Sequence, residues 1–298
     1  MELTWINKLR IAAIATLGIV VIGILSWPLA APSDPLMPVR ASGISLPGTL
    51  LLLALAFGIG FAGYFIAWPH GREIGILGVP LGLTIWAIRS GSMQTLTQVY
   101  EKAPERMALV HSLRFEPIYW LLLVAAGFAG VLVAQRLRPG STPMASADGR
   151  ANSRTGENTY VNGAIALLVA ILISLFFLGI FTRNLAVSRH VVTQPDDGQI
   201  VFGVIATFAV AAFVVKRFLD LSYVLPAVAS SLVLILAQIA YYRAGTVQRF
   251  AETHPATFFP HSIFAVLPIQ LVALGTLGSV LGYWIAVRYD YWKKHETG

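Results

Sequence analysis

The chain has 298 residues, of which 56% are hydrophobic and only 12% charged, with a mean hydropathy of +0.72. A soluble globular domain carries roughly 25% charged residues, so that class is excluded and a polytopic membrane protein is expected. The net charge of +7 does not point to nucleic acid, because the basic residues are scattered between apolar runs; the absence of cysteine excludes disulfides, cysteine-ligated clusters and thiol nucleophiles.

Apolar runs of about 17 to 25 residues, each enough to cross about 30 Å of hydrocarbon as a helix, lie near residues 11–30, 47–68, 74–90, 116–136, 160–181, 199–215, 221–242 and 262–287. Uninterrupted runs favour helices over the short alternating strands of a barrel, so the predicted fold is all-α with about eight transmembrane helices. Lys8 and Arg10 precede the first run, and Leu29-Ala30-Ala31 resembles a small-residue cleavage site. The run is long for a signal peptide and reads as a span.

The third run begins at Glu73, has Pro80 near its start and closes on Arg89, where the chain reads RSGSMQ to Gln94. Beyond it, Met93, Leu96, Val99 and Tyr100 fall at helical spacing, as do Met107, Val110 and Leu113 after Pro104. Both sets predict short amphipathic helices lying in the membrane interface. His111 precedes the fourth run, which opens at Glu116 and Pro117 and exits at Arg136. The segment 138–159, RPGSTPMASADGRANSRTGENT, is rich in Gly, Ser, Pro and Arg and reads as a flexible cytoplasmic linker.

The later four runs repeat the features of the first four. Trp5-Ile6-Asn7 aligns with Tyr160-Val161-Asn162, Phe61-Ala62 with Phe208-Ala209, Glu73 with Asp220, Pro80 with Pro226, Pro117-Ile118 with Pro268-Ile269, and Arg136 with Arg288. The hexapeptide returns as RAGTVQ, Arg243 to Gln248, although the distance from Pro80 to Arg89 is shorter than that from Pro226 to Arg243. These matches predict a 4+4 parallel internal repeat: residues 1–137, the linker 138–159, and residues 160–298. Four spans per unit is an even number, so the units share one orientation about a pseudo-two-fold axis along the membrane normal.

Several residues are candidates for function. Arg89 and Arg243, with Gln94 and Gln248, stand at the expected outer face, where an arginine stem can snorkel or the pair can bind an anionic group such as a lipid phosphate. His111 and His261 occupy similar places before the fourth and eighth runs, and a haem or metal reading would rest on them. Glu73 and Asp220 are expected to begin helices and cap free N–H groups, or to serve a gate. Pro80, Pro117, Pro226 and Pro268 are candidate kinks. Gln238 and Gln270 are expected to hydrogen-bond between helices.

No ionisable residue falls clearly within the middle of a span, which argues against proton pumps, ion-coupled antiporters and aqueous channels. Phosphate-loop, dinucleotide-binding and zinc-protease motifs are missing, no catalytic residue is assigned, and no cofactor is expected. The first expectation is therefore a non-catalytic membrane subunit or scaffold of a larger complex, with membrane lipids and other subunits as partners. The alternative is a permease or flippase-like carrier of an apolar or amphiphilic solute, suggested by the duplication and the paired prolines. A lipid-acting membrane enzyme, using Arg89, His111, Glu116, Arg243 and His261, is the third. Lys and Arg beside the span ends place both termini on the cytoplasmic side of a plasma (inner) membrane.

Overall fold

A computed structural model of the chain describes residues 5–100, 102–139, 159–182, 185–186, 192–193, 195–253 and 262–296. Eight helical segments among them are long and apolar enough to cross a membrane, and the protein is an all-helical, multi-pass membrane protein. The interior of the linker, 140–158, lies outside the described residues.

Span 1 is α1 (Trp5–Gly18) continued by a π-helical stretch, Ile19–Leu25, and followed by α2 (Trp27–Ala30). Span 2 is α3 (Leu46–Ile66), whose start is fixed by the Ser45 side chain accepting from the Gly48 N–H at 3.2 Å, with Pro47 in the first turn. Span 3 is broken. It consists of α4 (Gly71–Ile74), a 3-10 turn (Gly75–Leu77) and α5 (Gly78–Arg89), and the break falls where Pro80 has no N–H for the carbonyl one turn back. The short helices α6 (Met93–Val99) and α7 (Ala103–Leu113) lead into span 4, α8 (Glu116–Leu137).

Span 5 is α9 (Thr159–Phe181), and a minimal antiparallel pair follows it, β1 (Leu185–Ala186) with β2 (Val192–Thr193), in register Leu185 opposite Thr193. Span 6 is α10 (Asp197–Leu219), capped where the Asp196 carboxylate accepts from the Gly198 N–H at 3.3 Å. Span 7 is α11 (Val224–Tyr241), α12 (Ala244–Thr253) follows, and α13 (Pro268–Glu296) forms span 8.

Pro117 and Pro268 stand at the first or second residue of their helices, and Pro226 at the third residue of α11. Proline in a first turn removes no intrahelical hydrogen bond, so these three start helices, and only Pro80 adjoins an interruption. Asp220 corrects the expectation that it begins a helix. It ends span 6 in the left-handed region at φ 52°, its N–H bonded to the Lys216 carbonyl at 3.1 Å and its carboxylate 2.5 Å from Lys216 Nζ. A helix terminating in that conformation favours Gly, Asn or Asp there, and the nearby lysine suits the negative end of the helix. Glu73 does lie in the first turn of α4, as expected.

The closest helix pairs are spans 2 with 4 and spans 6 with 8, both parallel. They approach through glycine. A Cβ placed on Gly60 would fall 1.8 Å from the Gly127 carbonyl oxygen, and one on Gly282 would fall 2.0 Å from the Ala209 carbonyl oxygen. In lipid there is no hydrophobic drive between apolar helices, so close van der Waals contact of this kind supplies the association. Spans 3 and 4 meet spans 7 and 8 across the centre of the bundle. At the end bearing both chain termini, Ile14, Ile74, Ile76, Leu77, Tyr223, Val280 and Tyr283 form one buried cluster, and the Tyr223 hydroxyl donates to the Arg72 carbonyl at 3.3 Å.

Candidate functional site

The polar chemistry expected near Arg89 gathers at the end of the bundle opposite the termini. The chain between α2 and α3 crosses this end. Arg40, from that crossing, places its Nε 3.2 Å from Glu116 Oε1 and donates through Nη2 to the Ser112 hydroxyl. Glu116 is the first residue of α8 and only 4% exposed, so the positive end of its own helix and the guanidinium both offset the cost of burying the carboxylate. Arg40 is a functional candidate that sequence reasoning missed, because its partner lies 76 residues away and nothing local marks the pair.

Arg89 closes α5 with its guanidinium 4.4 Å from the centre of the Trp27 ring. Trp27 packs edge-on against Trp86, and Trp86 against Trp120, with ring centres 6.4 Å apart in each pair. A cation over tryptophan is favourable at such a distance, so Arg89 is engaged with the aromatic column beneath it. Gly91 then passes the crossing segment so closely that a Cβ would lie 1.7 Å from the Leu36 carbonyl oxygen, and its N–H donates to Met37 at 3.3 Å. Gly245, in the second hexapeptide, sits inside α12 with open space around it. Arg243 is exposed, and its carbonyl receives the N–H groups of Thr246 and Val247 at 2.9 and 3.1 Å, starting α12. The two hexapeptides thus serve different local geometry, and no described contact joins the two arginines.

Gln94 is exposed on α6, and Gln248 is exposed on α12, where it donates to Glu252 at 3.1 Å. The amphipathic helices differ from expectation. Met93, Leu96, Leu109, Val110 and Leu113 are buried, whereas Val99 is half exposed, and α7 packs on both α12 and α8. Their apolar sides therefore face the protein instead of lipid, and they bridge the two halves of the chain. The signal was ambiguous because an apolar stripe is the same whether lipid or protein covers it.

Between α7 and the end of α11 lies a cavity of about 220 Å³ lined by Val110, His111, Arg114, Gln238, Ile239 and Tyr242. Gln238 is 4% exposed, and its side-chain oxygen has no hydrogen-bond partner among the described residues. Among the described residues the expected interhelical bond is not seen for Gln270 either; its oxygen accepts from the Leu267 N–H at 3.0 Å and caps its own helix. A buried amide oxygen left unpaired costs about 1–3 kcal/mol, which marks Gln238 as a point for a ligand or a water. His111 lines this cavity beside the permanently charged Arg114, a poor neighbour for a metal cation. His261 lies outside the described residues. No cluster of three or more metal-ligating side chains occurs among the described residues.

Comparison of the chain with known protein families, curated proteins and solved structures finds no match.

Proposed function

We propose that the protein is a non-catalytic integral membrane subunit that scaffolds a larger membrane complex. The observation that carries this reading is where the polar groups inside the spans turn. Thr84, Thr182, Ser230, Ser231, Thr276 and Ser279 each donate to a carbonyl three or four residues back on their own helix, at 2.6–2.9 Å, while the buried hydroxyls of Ser174 and Thr207 have no partner among the described residues. The six side chains satisfied in this way offer no free polar group to a solute, which supports a reading of the spans as mainly apolar packing. Partners reach such a scaffold through its exposed sides and through α12, on which Gln248, Arg249 and Glu252 are exposed. Tagged protein purified in mild detergent is expected to retain stoichiometric partner proteins; a lone, monodisperse chain overturns this reading.

The scaffold is read as a duplication. Spans 2 and 4 cross as spans 6 and 8 do, Gly127 follows Pro117 by the same interval as Gly278 follows Pro268, and buried Thr84 stands after Pro80 as buried Ser230 does after Pro226. Spans 3 and 4 facing spans 7 and 8 is the arrangement a two-fold axis along the membrane normal would give. An experimental structure whose halves superpose no better than unrelated bundles rejects it. The Lys and Arg distribution favours both termini on the cytoplasmic side, in our reading of a plasma (inner) membrane, and reporter fusions at each terminus test that. A carrier of an amphiphilic solute is the second reading, favoured by the cavity at the seam between the halves. Purified protein that holds a solute and no partner selects it.

A further inference from the structure

We propose that the cavity between α7 and α11 binds the headgroup of an anionic phospholipid bearing hydroxyl groups, of the phosphatidylglycerol kind. The chemistry of the lining is that of a phosphate site. Arg114 presents a planar, permanently charged donor fork, His111 and the Gln238 amide add N–H donors, and the Tyr242 hydroxyl adds another group. Neither His111 nor Arg114 forms an ion pair among the described residues, and the guanidinium of Arg114 only stands 5.7 Å from the Phe115 ring centre. Potential donors contributed from the ends of α7 and α11 line the same cavity, which suits an anion with several oxygens.

The rest of the headgroup follows from Gln238. Gln238 is in the cavity wall and its buried oxygen has no partner among the described residues, so a ligand hydroxyl reaching it would supply the missing donor. A glycerol hydroxyl supplies one, whereas the quaternary ammonium of a choline headgroup has no hydrogen to give. The volume, about 220 Å³, lies below the roughly 300–1,000 Å³ typical of drug-sized pockets and suits a phosphate with a small polyol.

Position separates a lipid from free phosphate. Ile239 lines the cavity while 60% exposed, and Leu236, one turn earlier on α11, is 42% exposed. The opening therefore adjoins the apolar outer surface of span 7, two residues from its end, where acyl chains would lie with the headgroup inside. Because α7 belongs to the first half of the chain and α11 to the second, a lipid held here would join the two halves.

The test is native mass spectrometry of the full-length, delipidated protein titrated with dioctanoylphosphatidylglycerol. Matched titrations use dioctanoylphosphatidylcholine and inorganic phosphate. One phosphatidylglycerol per chain is expected to be retained, phosphatidylcholine is expected not to compete, and phosphate is expected not to displace it. Arg114→Gln and Gln238→Leu should each weaken retention about tenfold, the scale of one charge-assisted or buried hydrogen bond. Lys102→Gln, at the same end of the bundle, should leave it unchanged. Should Gln238→Leu fail to fold, Ile239→Trp at the exposed mouth provides an independent variant, expected to block the lipid while the protein stays monodisperse. Equal binding of phosphatidylcholine, displacement by phosphate alone, or wild-type retention by a folded Arg114→Gln variant would overturn the proposal.

Discussion

Two glycines two residues apart on α3 make a sharp test of how the bundle is held. Gly58 has open space where a Cβ would go, whereas a Cβ on Gly60 would sit 1.8 Å from the Gly127 carbonyl oxygen. To reach even the 3.0 Å below which real contacts do not occur, the backbones of spans 2 and 4 must part by roughly 1.2 Å, and each neighbouring contact loses part of its attraction. Overpacking of this kind costs about 1–3 kcal/mol, while alanine in place of an unhindered helical glycine gains about 0.5–1 kcal/mol. The propensity gain is common to both sites, so Gly60→Ala should fall below Gly58→Ala by the overpacking cost alone, about 1–3 kcal/mol. Reversible unfolding in mixed micelles, followed by far-UV circular dichroism, measures the difference. If Gly60→Ala is as stable as Gly58→Ala, the close crossing of spans 2 and 4 is not what holds them, and the packing argument fails. The corresponding pair on the other half is Gly282→Ala, facing the Ala209 carbonyl at 2.0 Å, against Gly179→Ala in open space.

Other variants probe the polar contacts. Arg40→Met leaves the Glu116 carboxylate buried without its partner and should cost about 3 kcal/mol, whereas Arg40→Met with Glu116→Met should recover most of it, as a double-mutant cycle would show. Tyr223→Phe removes the hydroxyl that reaches the Arg72 carbonyl between the halves and should lower unfolding free energy by about 1 kcal/mol in the same micelle assay. His70 lies between spans 2 and 3, and burial, with Arg10 nearby, holds its pKa below the ordinary 6.5. Its neutral form is thus the one the fold prefers: the stability it contributes is present above pH 6.5 and is lost as pH falls through 6.5 toward the folded-state value. Stability should therefore rise with pH across that window, and His70→Gln should flatten the rise.

The spans were readable because hydropathy is a sum over consecutive residues, and all eight expected runs overlap their helices along most of their length, the fourth, 116–136, nearly coinciding with α8 (Glu116–Leu137). What the run does not show is that α7 leads almost directly into α8, the two continuing from Ala103 to Leu137. Asp220 was misplaced because a carboxylate between two apolar runs reads equally as the end of one helix or the start of the next, and only its φ of 52° and its bond to Lys216 decide. Gln238 was seen as polar, but its missing partner is a property of the surroundings.

Sequence alone determined that the protein is helical, that it crosses the membrane many times, and where most crossings fall, because a helix in lipid must satisfy its own backbone and be apolar along its whole length. That same uniform apolarity erases the stripe by which a soluble helix declares its buried side. Which faces meet was therefore decided by tertiary structure: glycine carbonyl contacts joined spans 2 to 4 and 6 to 8, α7 turned onto α12, and Arg40 reached Glu116. The cavity that gathers His111, Arg114 and Gln238 has no trace in the order of residues, since its walls come from two halves that are neighbours only after the bundle has closed.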